Sequence, residues 1–194
     1  YMTSVLEGIR GVLTEQHIII TPAVGLNIQY YKTQMGYDVR VVRSMPNTPA
    51  LVLEGMSAYT YSNNTFTQEE KTVVEAFFQS FGKAVELPEY LMDEVVPISG
   101  SSPAYFFMML EAMGDAGVLT GLPRKESYMM AAQSMLGAAK MVLETGEHPG
   151  VLKDAVCSPG GTTIEAVKVL EEKGFRSAII EAMVACYNKT KQFD

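Results

Sequence analysis

A chain of 194 residues is long enough to bury a core without disulfide or metal staples. Its 47% hydrophobic and 19% charged residues place it among globular proteins rather than disordered or fibrous ones. A net charge of −7, with fifteen Lys and Arg scattered along the chain, excludes the concentrated basic face that nucleic acid requires. No apolar run reaches the length of a membrane span, and no basic-then-apolar signal segment opens the chain. Cys157 and Cys186 form neither a CxxC pair nor a ligand cluster, so a reduced, cytoplasmic setting is expected.

The first ninety residues alternate between helical and strand patterns. Tyr1-Met2-Thr3 runs straight into a helix in which Ser4 and Glu7 form a capping-box pair and Val5, Leu6, Ile9, Val12 and Leu13 recur at helical spacing. His17 to Pro22 is a β-branched run that reads as a buried strand. A short helix follows Gly25 and ends at Gly36. Asp38 to Ser44 is a second strand, stopped by Pro46, and Met56 to Ser62 is a third. Thr67 and Glu70 make another capping box before a helix with the stripe Val73, Val74, Phe77, Phe78 and Phe81. Lys83 to Leu87 reads as an edge strand. Such alternation predicts a mostly parallel sheet covered on its faces.

Beyond Leu91 no segment reads as strand, and nine of the thirteen methionines fall after residue 90. The pattern predicts helices at about 92–120, 123–145, 149–156, 162–173 and 175–192. Gly121, Gly146 and Gly174 stand at C-terminal cap positions, and Pro123 and Pro149 stand near the next starts. The small residues of 131–139 invite close approach by another helix. This much apolar helix beside a small sheet predicts burial against a second copy of the chain. The predicted boundary divides an α/β part, 1–90, from an all-α part, 91–194.

Two segments carry chemistry. In Cys157-Ser158-Pro159-Gly160-Gly161-Thr162-Thr163-Ile164-Glu165, a glycine turn meets a new helix start, where backbone N–H groups converge and the helix adds its positive end. That is a cradle for a carboxylate or phosphate. The structural alternative is an ordinary turn with Thr162 as N-cap and Glu165 completing a capping box; the Thr163 hydroxyl then has no structural task. The second segment, Met45-Pro46-Asn47-Thr48, follows a strand, and ligands of such sheets bind beyond the carboxyl ends of strands. Its alternative is a rigid turn in which Asn47 bonds only to backbone. Ser99-Gly100-Ser101-Ser102-Pro103 interrupts an apolar helix and marks a kink or a close approach. His17 and His148 have no third ligand nearby, so no metal site is expected.

The run Ser158-Pro159-Gly160-Gly161-Thr162-Thr163-Ile164, with Gly174-Phe175-Arg176 after it, resembles the C-terminal signature of pyrroline-5-carboxylate reductases. Met45 to Ala50, Ser99 to Tyr105, Gly121 to Arg124 and Leu136 to Met141 are similar to other segments of that family, in the same order. The resemblance spans nearly the whole chain. It implies a Rossmann-type sheet followed by an all-helical dimerisation domain, a homodimer or higher homo-oligomer, and reduction of a cyclic imino acid by NADPH or NADH. It further implies that Ser158, Gly160, Gly161, Thr162 and Ser101 bind substrate, with Thr163 as catalytic hydrogen-bond donor to the imine. Met45, Pro46, Asn47, Thr48 and Ala23 would flank the cofactor. One departure stands out: the family normally has glycine where Ser102 stands.

A dinucleotide-binding fold normally opens with strand, Gly-x-Gly-x-x-Gly and helix, and these residues contain no such stretch. The expectation is therefore a truncated Rossmann-type part, lacking the pyrophosphate site. Two other readings stay open: a catalytically silent dimerisation and substrate-pocket module, and a related reductase of small acids or an F420-type oxidoreductase.

Overall fold

A computed structural model describes residues 1–62 and 66–192. The chain divides into two compact units: Tyr1–Pro103 together with the C-terminal segment from Met183, and Ala104–Ala182.

The first unit is built on a four-stranded sheet in the order β1 (Ile19–Thr21), β2 (Val41–Met45), β3 (Gly55–Tyr61), β4 (Gly82–Glu86). Every residue of β2 is buried. Because side chains alternate across a strand, neighbouring Val41 and Val42 serve opposite faces. Val41 packs with Leu6, Tyr31, Met35 and Val39, which come from helices α1 (Met2–Ile9) and α2 (Ile28–Met35) and the segment after α2. Val42 packs with Tyr59, Phe66, Val74 and Phe78, the last two from α3 (Gln68–Gln79). One strand thus divides two cores.

β1 and β2 are parallel, in register Ile19↔Val41 to Thr21↔Arg43, and α2 makes the crossover between them. The Asn27 side chain caps α2 by accepting from the Tyr30 amide at 2.8 Å, and Glu89 Oε1 accepts from the Ile28 amide at 2.6 Å. Gly36, at φ +78, ends it. The Thr67–Glu70 capping box forms as predicted. Phe78 of α3 stacks on Tyr59 with centroids 5.0 Å apart, whereas Val73 and Phe77 of the predicted stripe are exposed.

The mostly parallel sheet is borne out, with β1–β2 and β3–β4 parallel and one antiparallel pair, β2–β3. Only Pro46 to Glu54 joins β2 to β3, which is too short for a parallel crossover of about a dozen residues. The 3-10 turn Thr48–Val52 reverses the chain instead, and Leu53 closes it at φ +62. One expectation in this unit is corrected. The Ser4–Glu7 box does not form: α1 starts at Met2 with Tyr1 as its N-cap residue, so Ser4 already lies inside the helix.

Arg43, with 4% of its side chain exposed, sits in the middle of β2. Its Nη2 donates to Asp93 Oδ1 at 2.6 Å, and Lys191 Nζ donates to Asp93 Oδ2 at 2.9 Å. Burial would push the Asp93 carboxyl up, but hydrogen bonds from Lys191 and Arg43 hold it below its ordinary value. Close by, Met45, Ala58, Met92 and Val96 form a third core cluster, with Cys186 against it.

Val96–Gly100 forms a π-turn, followed by α4 (Ser102–Leu119). This is the interruption predicted within 92–120. Then come α5 (Arg124–Thr145), α6 (Pro149–Val156), α7 (Thr162–Glu172) and α8 (Phe175–Thr190). Gly121, Gly146 and Gly174 take φ +100, +67 and +72 at the helix junctions where caps were expected. In the second unit α4 and α5 approach closely, since a Cβ at Gly114 would overlap the Tyr128 ring and one at Gly117 the Ser127 side chain. Among the described residues no helix is long and apolar enough to cross a membrane.

Replacing Asp93 by Asn should destabilise the protein by about 3 kcal/mol, because it removes the hydrogen-bonded countercharge of the buried Arg43 and leaves only Glu89, at 3.9 Å. The depressed Asp93 pKa adds stability above its unfolded value near 3.9 and loses it as pH falls through the folded value. Urea unfolding at several pH values should therefore show the gap between wild type and Asp93→Asn closing below about pH 4.

Candidate functional site

In the second unit, Ser158-Pro159-Gly160-Gly161 forms a tight turn closed by a hydrogen bond from Gly161 N–H to the Ser158 carbonyl at 3.0 Å. Pro159 presets the first central position, and Gly160 takes the second at φ +67, the pattern of a type II turn. A Cβ on Gly161 would overlap the Ser158 hydroxyl. Gly161, extended at φ −78 and ψ 170, is the N-cap of α7 and supplies no side chain.

The expected Thr162–Glu165 capping box is thereby corrected. The turn delivers Thr162 into the first helical position, one residue past the cap. Without a side-chain cap, the Thr162, Thr163 and Ile164 amides have no intrahelical partner and carry the positive end of the helix. The Gly161 amide, by contrast, is used within the turn. Thr163 is half-buried and Thr162 exposed. No hydrogen bond ties the Thr163 hydroxyl to another described residue. The neighbouring cations are paired: Lys153 with Asp154, and Arg176 Nε with Glu171 Oε1 at 2.7 Å. Each partner's hydrogen bond pushes the cation's pKa up. The groups this turn leaves without a partner are therefore amides rather than cations. His148 Nδ1 accepts from Gly150 N–H at 3.0 Å and caps α6, and His17 Nδ1 accepts from Thr14 N–H at 3.0 Å.

In the first unit the parallel pair β1–β2 brings Ala23 and Met45 to the same sheet edge, since Thr21 is paired with Arg43 two residues earlier. Beyond β2 lies a cleft of about 610 Å³ lined by Pro46, Asn47, Thr48, Ala50, Leu51, Phe81 and Gly100. Met45 is buried in the core behind it, so of the predicted Met45–Thr48 segment only the last three residues line the cleft. Asn47 Oδ1 accepts from Met56 N–H at 2.9 Å, and Asn47 Nδ2 donates to the Ser99 carbonyl at 3.0 Å. Ser101 Oγ accepts from Cys186 Sγ at 3.3 Å, which leaves the Ser101 hydroxyl proton available. Ser102 is buried at the start of α4 and does not line this cleft.

The structure thus groups Ser158 to Thr163 in one unit, and Met45 to Thr48 with Ser99 to Ser101 in the other. Leu51 and Phe81 are cleft residues that sequence reasoning missed, while Gly100 lies in the segment marked for a kink or close approach. A signal existed for Leu51, an apolar residue exposed in a proline-rich loop just past a strand end.

A Rossmann-type sheet with a cleft at a strand's carboxyl end, joined to a helical segment with an open amide turn, defines the class: an oxidoreductase with a helical dimerisation region. Residues 89–193 match the family model for pyrroline-5-carboxylate reductase dimerisation. The pyrroline-5-carboxylate reductase of Escherichia coli strain K12 is 51% identical over 191 residues, covering 98% of this chain and 71% of that protein. That of Methanosarcina acetivorans is 42% identical over 191 residues, covering 98% of this chain and 70% of its own length. Among solved structures, a pyrroline-5-carboxylate reductase from Coxiella burnetii superposes with a TM-score of 0.90 at 33% identity, over 100% of this chain and 72% of that one. A Plasmodium falciparum pyrroline carboxylate reductase with NADP bound gives a TM-score of 0.90 at 34% identity, over 99% and 77%. The chain belongs to the pyrroline-5-carboxylate reductase family.

Gly160→Ala forces a side chain into the left-handed region and should cost roughly 1–2 kcal/mol. Chemical denaturation of the variant should shift the midpoint by that amount, and a neutral result would contradict the turn geometry.

Proposed function

We propose that this chain acts in the reduction of 1-pyrroline-5-carboxylate to L-proline, the closing step of proline synthesis, with NADPH or NADH as cofactor. The observation that carries the reading is the uncapped first turn of α7 behind the Ser158–Gly161 turn, with an uncommitted Thr163 hydroxyl beside it. The Thr162 to Ile164 amides hold the substrate carboxylate. Gly160 and Gly161 keep side chains away from it, and Ser158 offers a hydroxyl proton; the resemblance alone assigns Ser101 to substrate. Thr163 donates a hydrogen bond to the neutral ring nitrogen, which stabilises the negative charge that develops there as hydride reaches the carbon, and relays one proton to it from water. Such a donor contributes roughly 10²–10⁴-fold.

The nicotinamide, when bound, supplies hydride to the imine carbon. The cleft beyond β2 suits its flat, weakly polar end: Pro46, Leu51 and Phe81 offer apolar surface, Thr48 a hydroxyl, and Ala23 stands on the same sheet edge. No Gly-x-Gly-x-x-Gly stretch occurs in these residues, so the proposed contacts concern the nicotinamide end only. Two free thiols agree with a cytoplasmic enzyme. The 1–90 segment is read as part of the dinucleotide-binding domain and 91–194 as the dimerisation and substrate-binding domain.

A homodimer is part of the proposal. An apolar groove of about 690 Å³ runs along α4, α7 and α8, lined by Met108, Met109, Met113, Phe175 and Ile179 among others. On α5, Met129, Met130, Leu136, Met141 and Leu143 are exposed in the single chain. A second copy is the covering partner that the dimerisation family supports.

Steady-state oxidation of NADPH dependent on pyrroline-5-carboxylate tests the chemistry. Thr163→Ala should lower kcat by roughly a hundredfold while the Kd for NADPH stays within about twofold, and Thr163→Ser should keep most activity. Unchanged kcat in Thr163→Ala would remove Thr163 from the mechanism. Sedimentation velocity should return about twice the chain mass of 21.3 kDa. A monomer at micromolar concentration would contradict the assembly.

A further inference from the structure

Asn47 lines the cleft beyond β2, yet both ends of its side-chain amide are taken by distant backbone. Oδ1 accepts from Met56 N–H at 2.9 Å and Nδ2 donates to the Ser99 carbonyl at 3.0 Å. One partner lies 9 residues away and the other 52. The orientation is forced, since an N–H can only donate and a carbonyl can only accept.

Ser99 belongs to the π-turn Val96–Gly100, closed by Ser101 N–H to the Val96 carbonyl at 2.8 Å. In a continuing α-helix the Ser99 carbonyl would accept from the residue four positions on. That residue is Pro103, which has no N–H. A half-buried carbonyl without a donor costs about as much as a lost hydrogen bond. Asn47 supplies the missing donor from another element. The consequence reaches the cleft wall: Gly100, next to Ser99, faces Met45, with 3.7 Å between the Met45 Cγ and the place a Gly100 Cβ would occupy.

We infer that Asn47 is a positioning residue, whose amide replaces the N–H that Pro103 lacks and pins the π-turn before Ser101 to the loop beyond β2. It acts through the shape of the wall rather than by touching a reacting group. The role in turnover rests on the proposed function above; the tie to the π-turn does not.

Asn47→Asp isolates the donor. Its carboxylate still accepts from Met56 N–H, but at neutral pH it sets an anionic oxygen against the Ser99 carbonyl. A protonated carboxyl regains an O–H that can donate there. None of the cleft-lining residues carries a titratable side chain, and Asp93 and Glu94 before the π-turn are common to variant and wild type, so comparison at each pH isolates the introduced group. Hydrogen exchange of 96–101, measured against wild type at each pH, should be faster by about tenfold at pH 7.5 and return toward wild type below about pH 5. Asn47→Ala should accelerate exchange without recovery in acid. In the NADPH-dependent assay Asn47→Asp should lower kcat by about tenfold at pH 7.5 with the NADPH Kd within about twofold. Wild-type exchange over 96–101 in both variants overturns the inference. So does a tenfold rise in NADPH Kd with exchange unchanged, which would make Asn47 a cofactor contact. Should neither variant nor wild type bind NADPH, the proposed function fails while the exchange result still decides the tie.

Discussion

Arg43 is a permanent charge in the middle of a fully buried strand, and much of the first unit is arranged around that fact. Removing a guanidinium from water costs several kcal/mol unless its charge is matched and its donors are used. Asp93 supplies the match at 2.6 Å, Lys191 completes the carboxylate from the last residues of the described chain, and Glu89 stands 3.9 Å off. Glu89 in turn receives the Ile28 amide at the start of α2. A single buried cation therefore ties the centre of the sheet to α2, to the segment before the π-turn and to the C-terminal end of the chain. The cleft beyond β2 begins three residues after Arg43, at Pro46, so its position is set by the same contacts.

The two candidate regions share a physical device. In each, a residue that cannot complete a regular hydrogen-bond ladder leaves backbone polar groups without helical partners. Pro103 withholds a donor from the Ser99 carbonyl, and an internal side chain, Asn47, supplies it. At α7, Gly161 stands at the N-cap without a side chain, and the Thr162 to Ile164 amides are left to something outside the helix. The first arrangement stiffens a wall. The second leaves a helix start without a side-chain cap. Pro159 and Gly160 make the open turn rigid beforehand, because their preferred dihedrals are those the turn uses, so less freedom is lost when a ligand is held.

What could be read from residues in order was what local periodicity and turn chemistry control. The strand at β2 and the helix ends at Gly36, Gly121, Gly146 and Gly174 lie close to where pattern put them, as do the Thr67–Glu70 box and the break before Pro103. Alternation of elements gave the mostly parallel sheet, and the one antiparallel pair, β2–β3, follows from the short link between those strands. Ser4–Glu7 and Thr162–Glu165 show the limit of spacing alone: each has the right residue types, and each lies one or more positions inside a helix whose start is set by the preceding chain. Partnerships across the fold left no local trace. Asp93 is 50 residues from Arg43 and 98 from Lys191, and Asn47 is 52 from Ser99.

An acidic chain is at first sight an odd host for a carboxylate. At physiological salt, however, the Debye length is about 8 Å, so exposed acidic residues beyond that range do little to repel a small anion. Contact groups dominate instead, and at the Ser158–Thr163 turn these are amides at a helix start rather than cations. Lys153 and Arg176 are already paired with Asp154 and Glu171. Recognition by amides also discriminates by geometry. Converging N–H groups at a helix start fit a compact planar carboxylate. A net charge of −7 is thus compatible with an anionic substrate, because the proposed binding uses directed backbone dipoles and not the sum of side-chain charges.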